Sequence, residues 1–290
     1  MQAWWLIAAA VLTGVTSAQT KTERTFHWPA GVRAVVTETR DEASPRGRLV
    51  AVLRYSVVLQ RTEDGCRLLF GNVEVVRTQF PKGSSAKLRS VIGRHTMRRV
   101  RPTIELTKSG AVQGISGLAA ALDRSIAGEQ PLTKQRLRRA LGTPKLRAVF
   151  EQRQRQLWNE WVQRWRGVQA GRFERRVREP LPSGTRIDAV EKGVVKATKK
   201  GGLALESTSV LDSKATRNAL QRALRGKQVR EVRIEIRRHA LLLTDTRLPR
   251  RIQVRRVGSA TLEGAAPQPM REIVTWDFDW KTPAAAPAGR

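Results

Sequence analysis

The chain has 290 residues, of which 40% are hydrophobic and 28% charged, enough apolar material for one large core or two modest ones. The 55 Lys and Arg against 25 Asp and Glu give a formal net charge of +30. A single cysteine, Cys66, excludes an internal disulfide, so stability has to come from packing.

Residues 1–18, MQAWWLIAAAVLTGVTSA, read as a signal peptide: an apolar run from Ala3 to Val15, then Thr16, Ser17 and Ala18 as a small-residue cleavage site. No cysteine lies near the cut, so the lipoprotein route is not expected, and no later segment is apolar enough to span a bilayer. The expectation is an exported protein, periplasmic or secreted, whose mature part runs over 19–280 as one domain, with 281–290 as a disordered tail.

After FHWPAG, residues 31–40 (GVRAVVTETR) predict a strand. In LVAVLRYSVVLQ, Leu49, Ala51, Leu53, Tyr55, Val57 and Leu59 alternate with a second set, the period of a strand. Asp64-Gly65 marks a hairpin turn, and a strand from Cys66 to Arg77 pairs back. A short helix is expected from Ser84 to Gly93, then a hairpin over RPTIELTKSGAVQGISG with Ser109-Gly110 at its tip. Ser116 is a candidate cap for LAAALDRSIAG, and Pro131 opens a second helix. Thr143 and Pro144 open the longest helix, which is expected to reach about Arg166 before Gly167 stops it. Turns are then expected at Pro182-Ser183-Gly184, Lys192-Gly193 and Lys200-Gly201-Gly202. A helix capped by Asp212 or Ser213 and three further strands follow, the last being EIVTWDFDW.

Strands, helices, strands, one helix and strands, with hairpin turns and no βαβ alternation, predict an α+β fold with an antiparallel sheet. Two lobes, 31–116 and 173–280, joined by helices over 117–167, are one way to arrange it.

The long helix carries Trp158, Trp161 and Trp165 on its apolar side, and the last strand aligns Trp276, Phe278 and Trp280 on one face. Three readings stand. These aromatics pack as core, they line an apolar ligand cavity between helix and sheet, or the helix lies on a membrane surface. The helix is central in the chain, which favours the core. The charge also has two readings: Arg233, Arg237 and Arg238 are candidate anion-binding residues, or base composition has placed Arg wherever a polar residue is tolerated.

Catalytic signatures are weak. His27, His95 and His239 lack a second ligand at metal spacing, so no metal or cofactor is expected. Ser84-Ser85-Ala86-Lys87 matches S-x-x-K without its companion boxes. Asp277 and Asp279 recur on the polar face of the last strand, which explains them without catalysis. No nucleic-acid-binding motif is present, and export makes nucleic acid an improbable partner.

TKSGAVQGISGL, LWNEWVQRWRG and FHWPAG together resemble a group of uncharacterised exported proteins of large-genome, high-GC proteobacteria of the myxobacterial type. The layout is also similar, more loosely, to envelope lipoprotein carriers. That likeness implies a strongly curved, half-barrel-like sheet packed on a central helical layer. The function expected is non-catalytic binding of a lipid-like or anionic envelope component. The alternatives are a hydrolase acting on an envelope polymer and a structural partner of another envelope protein.

Overall fold

The computed structural model describes residues 28–281, apart from 30, 46, 81–98, 129, 142, 182–184, 200, 225–227 and 244–245. The expected signal peptide, the Ser84–Gly93 helix, the S-x-x-K tetrad, the Pro182-Ser183-Gly184 turn, His27, His95 and the tail lie outside the described residues.

The fold is mostly antiparallel sheet with a few helices, and the sheet is not closed. Its strands are β1 (Arg33–Ser44), β2 (Gly47–Arg61), β3 (Gly65–Phe70), β4 (Glu74–Gln79), β5 (Thr103–Thr107) and β6 (Val112–Ser116), then β7 (Gly171–Pro180), β8 (Arg186–Thr198), β9 (Gly202–Leu211), β10 (Val229–Leu243), β11 (Pro249–Leu262) and β12 (Gln268–Lys281). They form one sheet in the order β6-β5-β3-β2-β1-β12-β11-β10-β9-β8-β7, with β4 also paired to β2. The first and last strands of the chain meet in the middle: β1 and β12 pair from Arg33 opposite Lys281 to Ala43 opposite Arg271. The N- and C-terminal strand groups are therefore two wings of one continuous sheet.

Among the described residues the helices are α1 (Leu118–Ser125), α2 (Pro131–Leu141), α3 (Pro144–Trp161) and α4 (Ser213–Ala223), with a 3-10 turn, Gln163–Trp165, after α3. The alternation read in β2 holds: Leu53, Tyr55, Val57 and Leu59 are buried on the inner face. Val232, Ile234 and Ile236 do the same on β10. These residues join the Trp residues of α3 and the 3-10 turn in one main core, while Val100, Ala121, Leu122, Ile126 and Phe150 make a smaller one under α1.

Local details differ from the sequence-based expectations, each for a physical reason. The strand expected over Cys66–Arg77 is split at Gly71, because the chain presses onto β2 there. Gly71 N–H bonds Ser56 O at 2.9 Å, and a Cβ at Gly71 would stand 2.2 Å from Ser56 Oγ. Lys192-Gly193 is not a turn but mid-strand in β8. Gly193 is needed there for close packing: a Cβ would lie 2.5 Å from the Phe173 ring and 2.6 Å from Glu206 O. Helix α1 is capped by Gly117, at φ 67°, not by Ser116, whose hydroxyl belongs to β6 and donates to Glu105 Oε1 at 2.5 Å. Asp212 does cap α4, accepting from Ala215 N–H at 2.6 Å.

Helix α3 ends at Trp161, short of Arg166. The indole N–H of Trp165 takes the Glu160 carbonyl at 2.7 Å. That carbonyl is the acceptor a continuing α-helix would give to residue 164, so the backbone tightens into the 3-10 turn. This turn ties the two wings together. Arg166 Nη1 donates to Ser109 O at the β5–β6 tip (2.5 Å), and Arg175 Nη2 of β7 donates to Arg164 O (2.8 Å).

Candidate functional site

The aromatic residues singled out in the sequence come together. Trp158, Trp161 and Trp165 are 0%, 1% and 2% exposed, and the Trp161 ring meets Phe278 at 5.0 Å and Trp276 at 6.4 Å, both edge-on. Phe278 stacks on Trp280 at 5.7 Å. Trp28, from FHWPAG, completes the cluster against Trp158 (5.3 Å) and Trp280 (5.1 Å). The indole N–H groups of Trp158, Trp165, Trp276 and Trp280 are anchored, to Gly110 O, Glu160 O, Glu38 Oε2 and Pro249 O. Neither of the two hollows described below is lined by any of these rings.

Beneath the helix the inner face of the C-terminal wing carries charge. Strand alternation points Arg175 and Glu179 of β7, Glu191 of β8, Ser207 and Ser209 of β9 and Arg238 of β10 toward the helix, where they meet Glu160 and Arg164. Arg238 grips Glu160 with both arms of its fork, at 2.9 and 3.0 Å, and donates to Glu179 Oε2 at 2.6 Å. Arg164 donates to Glu191 at 2.9 Å and to Glu179 at 3.2 Å, and Arg175 reaches Glu191 at 2.8 Å. Ser207 and Ser209 donate to Glu191 (2.6 Å) and Glu179 (2.9 Å). Three arginines face three glutamates, so the cluster is neutral.

A second set crosses the middle of the sheet. Glu38 of β1, fully buried, accepts from Arg40 (2.7 Å), Arg101 (2.5 Å), Tyr55 Oη (3.0 Å) and Trp276 Nε1 (3.0 Å). Arg40 also bonds Glu272 at 3.3 Å, and Glu272 accepts from Arg256 at 2.7 Å.

These contacts set the titration behaviour. Burial opposes ionisation of Glu38, but Arg101, Arg40 and their hydrogen bonds outweigh it and hold the carboxyl well below the usual range. The same balance, with Arg238 and Arg164 winning over burial, puts Glu160 at about 2. Glu191 is also lowered, by Arg164, Ser207 and Arg175 against burial. Tyr55 is pushed up by burial and by Glu38. A carboxylate ionised and saturated by donors is a poor proton shuttle at neutral pH.

The sign follows from linkage. A lowered folded-state pKa stabilises above the unfolded value of about 4.3 and is lost as pH falls through the folded one. The urea midpoint is therefore expected to stay flat from pH 7 to about 5, then fall steeply between about pH 4 and 2. In Glu160→Gln the neutral-pH midpoint is lower and the acid limb shallower. An acid limb as steep in the variant as in the parent would show that Glu160 takes no part.

Arg233, Arg237 and Arg238 do not form one group. Arg233 and Arg237 are exposed on the outer face of β10, whereas Arg238 is 2% exposed and engaged from below. On that outer face Arg237 stands directly opposite Arg255 of β11. Arg237 also pairs with Glu235, while Arg251, four residues along β11, pairs with Asp277 at 3.5 Å. His239 is half-buried on the same strand. Among the described residues no group of His, Cys, Asp and Glu is placed to hold a metal. Cys66 packs beside the core, where burial pushes its thiol pKa up.

Hollows open among the described residues. One, of about 140 Å³, is lined by Gly71, Asn72, Val73, Arg99, Arg101, Ala121, Arg124 and Ser125. Another, at the β7–β8 edge, is lined by Arg172, Phe173, Glu174, Lys192 and Gly193.

Sequence reasoning missed the buried charges. Their signal is Glu179, Glu191, Ser207, Ser209 and Arg238 sitting on strand positions in phase with apolar neighbours, as Arg238 does with Ile236, Ala240 and Leu242. Among 80 charged residues that phase is easily overlooked. No family model matches the chain, and no curated protein matches it.

Proposed function

We propose that the protein is a non-catalytic, exported binding protein of the cell envelope that holds an anionic envelope polymer on the outer face of β10 and β11. The observation that carries this is the facing pair Arg237 and Arg255, with Arg233 further along the same face. Like charges directly opposite in a sheet cost stability, and a bound polyanion relieves that cost. The buried cluster under α3 is neutral, so it accounts for none of the +30. The close packing of the Trp residues supports an anionic ligand over a lipid-like one, and saturation of Glu38, Glu160, Glu179 and Glu191 by donors supports binding over hydrolysis.

The finer shape belongs to this reading. The sheet is a half-barrel curved around the helical layer, and the bonds from residues 164 and 166 to opposite wings support it. No helix among the described residues is long and apolar enough to cross a membrane.

The test is titration of the mature protein, residues 19–290, with a fluorescent polyuronate and, in parallel, with vesicles of anionic lipid. Binding to the polymer is expected to weaken at least tenfold between about 50 and 300 mM salt, as exposed charges are screened. It should weaken comparably when Arg233, Arg237 and Arg255 are replaced together by Gln. Salt-insensitive binding, or a triple variant that binds like the parent, rejects the outer face. Binding to vesicles alone replaces the polymer by a lipid surface.

A further inference from the structure

We infer that the hollow between the β3–β4 break, the β5 approach and helix α1 is a discrete site for a small tetrahedral oxyanion, a phosphoryl or inorganic phosphate group. It lies apart from the outer face of β10 and β11 and does not depend on that surface.

The local sequence builds it. In RVRP, residues 99–102, Val100 is 2% exposed and anchored in the smaller core with Ala121, Leu122, Ile126 and Phe150. Arg99 and Arg101 flank that anchor, and Pro102 keeps residue 101 extended. Arg101 is held in place from behind: Glu38 accepts its Nη2 at 2.5 Å, and its guanidinium carbon lies 5.0 Å from the centre of the Tyr55 ring. Arg124 comes from the last turn of α1, where the helix dipole favours a cation. The floor is the Gly71–Val73 break, which the close approach of Gly71 to Ser56 holds down.

The charge balance here differs from that under α3. Under α3, Arg164, Arg175 and Arg238 each pair with glutamate. In the hollow, Arg101 has Glu38, but among the described residues no carboxylate pairs with Arg99 or Arg124. The nearest acidic neighbour in sequence, Asp123, is bonded instead to Arg138 at 2.9 Å. The Nε atoms of Arg99 and Arg101 are both buried without a hydrogen-bond partner. Desolvated guanidinium N–H groups left unmet are costly, and an oxyanion is the group they match, through the planar fork geometry. Asn72 adds an exposed amide at the rim. Ser125 does not donate to it, because its hydroxyl hydrogen is committed to Ala121 O at 2.7 Å.

Size restricts the ligand. A volume of about 140 Å³ holds a group of a few heavy atoms, well below the roughly 300–1,000 Å³ of sites that enclose drug-sized ligands. Acyl chains and whole sugar residues are excluded from the hollow itself, though either can trail from a phosphate seated in it.

Calorimetric titration of the full mature chain tests this, with inorganic phosphate in one arm and glycerol 3-phosphate in the other, against chloride at equal ionic strength. Saturable one-to-one binding is expected in at least one arm. Binding in both assigns the site to a terminal phosphoryl group; binding of inorganic phosphate alone assigns it to the free ion. Arg99→Gln and Arg124→Gln should each weaken binding about tenfold or more, one charge-assisted contact being worth that much. Arg99→Lys should fall between, because it keeps the charge and loses the fork. Thermal unfolding without phosphate checks that these substitutions leave the fold intact. The outer-face triple variant should bind phosphate like the parent, which separates failure here from failure of the polymer reading. No saturable heat in either arm, or unchanged affinity in both Gln variants, overturns the inference.

Discussion

Replacing Arg238 by methionine is expected to destabilise the protein by about 3–5 kcal/mol at pH 7, the cost of removing one partner from a buried ion pair. Arg238 is the hub of the inner-face cluster. It reaches from β10 to Glu160 on α3 and to Glu179 on the edge strand β7, and is 2% exposed. Its loss leaves two buried carboxylates sharing Arg164 as their arginine partner, at 3.5 Å from Glu160 and 3.2 Å from Glu179, with Ser209 still donating to Glu179. Methionine fills much of the volume, so the loss reports charge and not a cavity. Urea unfolding followed by tryptophan fluorescence is the measurement. The control is Arg237→Gln, one residue along and facing out, which should change stability by no more than about 0.5 kcal/mol. A loss under about 1 kcal/mol for Arg238→Met would mean that water enters and solvates the glutamates.

The same comparison adds a second test. When both partners of a buried pair are replaced by apolar residues of similar size, the change is often near neutral. The double variant Arg238→Met, Glu160→Leu should therefore recover a good part of the loss from Arg238→Met, with Glu179 left to Arg164. Additive losses would show that each charge is stabilised by groups other than its partner.

Much of the architecture is legible in the sequence because period-two alternation reports a half-buried strand directly. β2, β10 and β12 stand where LVAVLRYSVVLQ, VRIEIRR and EIVTWDFDW place them. The signals that misled are those with two physical meanings. Glycine at Gly193 means close packing in β8, not a turn, because a phenylalanine ring on the neighbouring strand needs the space. Ser116 looks like a helix cap but is held in β6 by Glu105. The meeting of β1 with β12 has no local signature, since it depends on how two wings far apart in sequence close on one core. The candidate sites were partly legible. The aromatic cluster follows from spacing, and Trp28 joins it from FHWPAG. The arginine hollow does not follow: Arg99, Arg101 and Arg124 are ordinary members of a set of 55 basic residues until the fold sets them around Val100 and α1.

Trp161 separates packing from polar satisfaction. It is 1% exposed, with Phe70, Trp276 and Phe278 around its ring, and Trp161→Ala should cost about 3–5 kcal/mol in unfolding free energy. Its indole N–H is buried with no hydrogen-bond partner, unlike those of Trp158, Trp165, Trp276 and Trp280. Trp161→Phe keeps an aromatic ring in contact with Phe278 and deletes an unmet donor, whose burial is itself destabilising by about 1–3 kcal/mol. Two terms then oppose each other, the lost volume and the removed donor. The expected net cost is below about 1.5 kcal/mol, in the range of well-tolerated core swaps. Trp158→Phe supplies the contrast, because it leaves Gly110 O with Gln163 as its remaining side-chain donor and so loses volume and a hydrogen bond together. Urea unfolding of the three variants, followed by circular dichroism because the fluorophores themselves change, should rank them Trp161→Ala, Trp158→Phe, Trp161→Phe from most to least damaging. If Trp161→Phe proves as costly as Trp161→Ala, the donor has a partner in solution and the ring's full width is what the core requires.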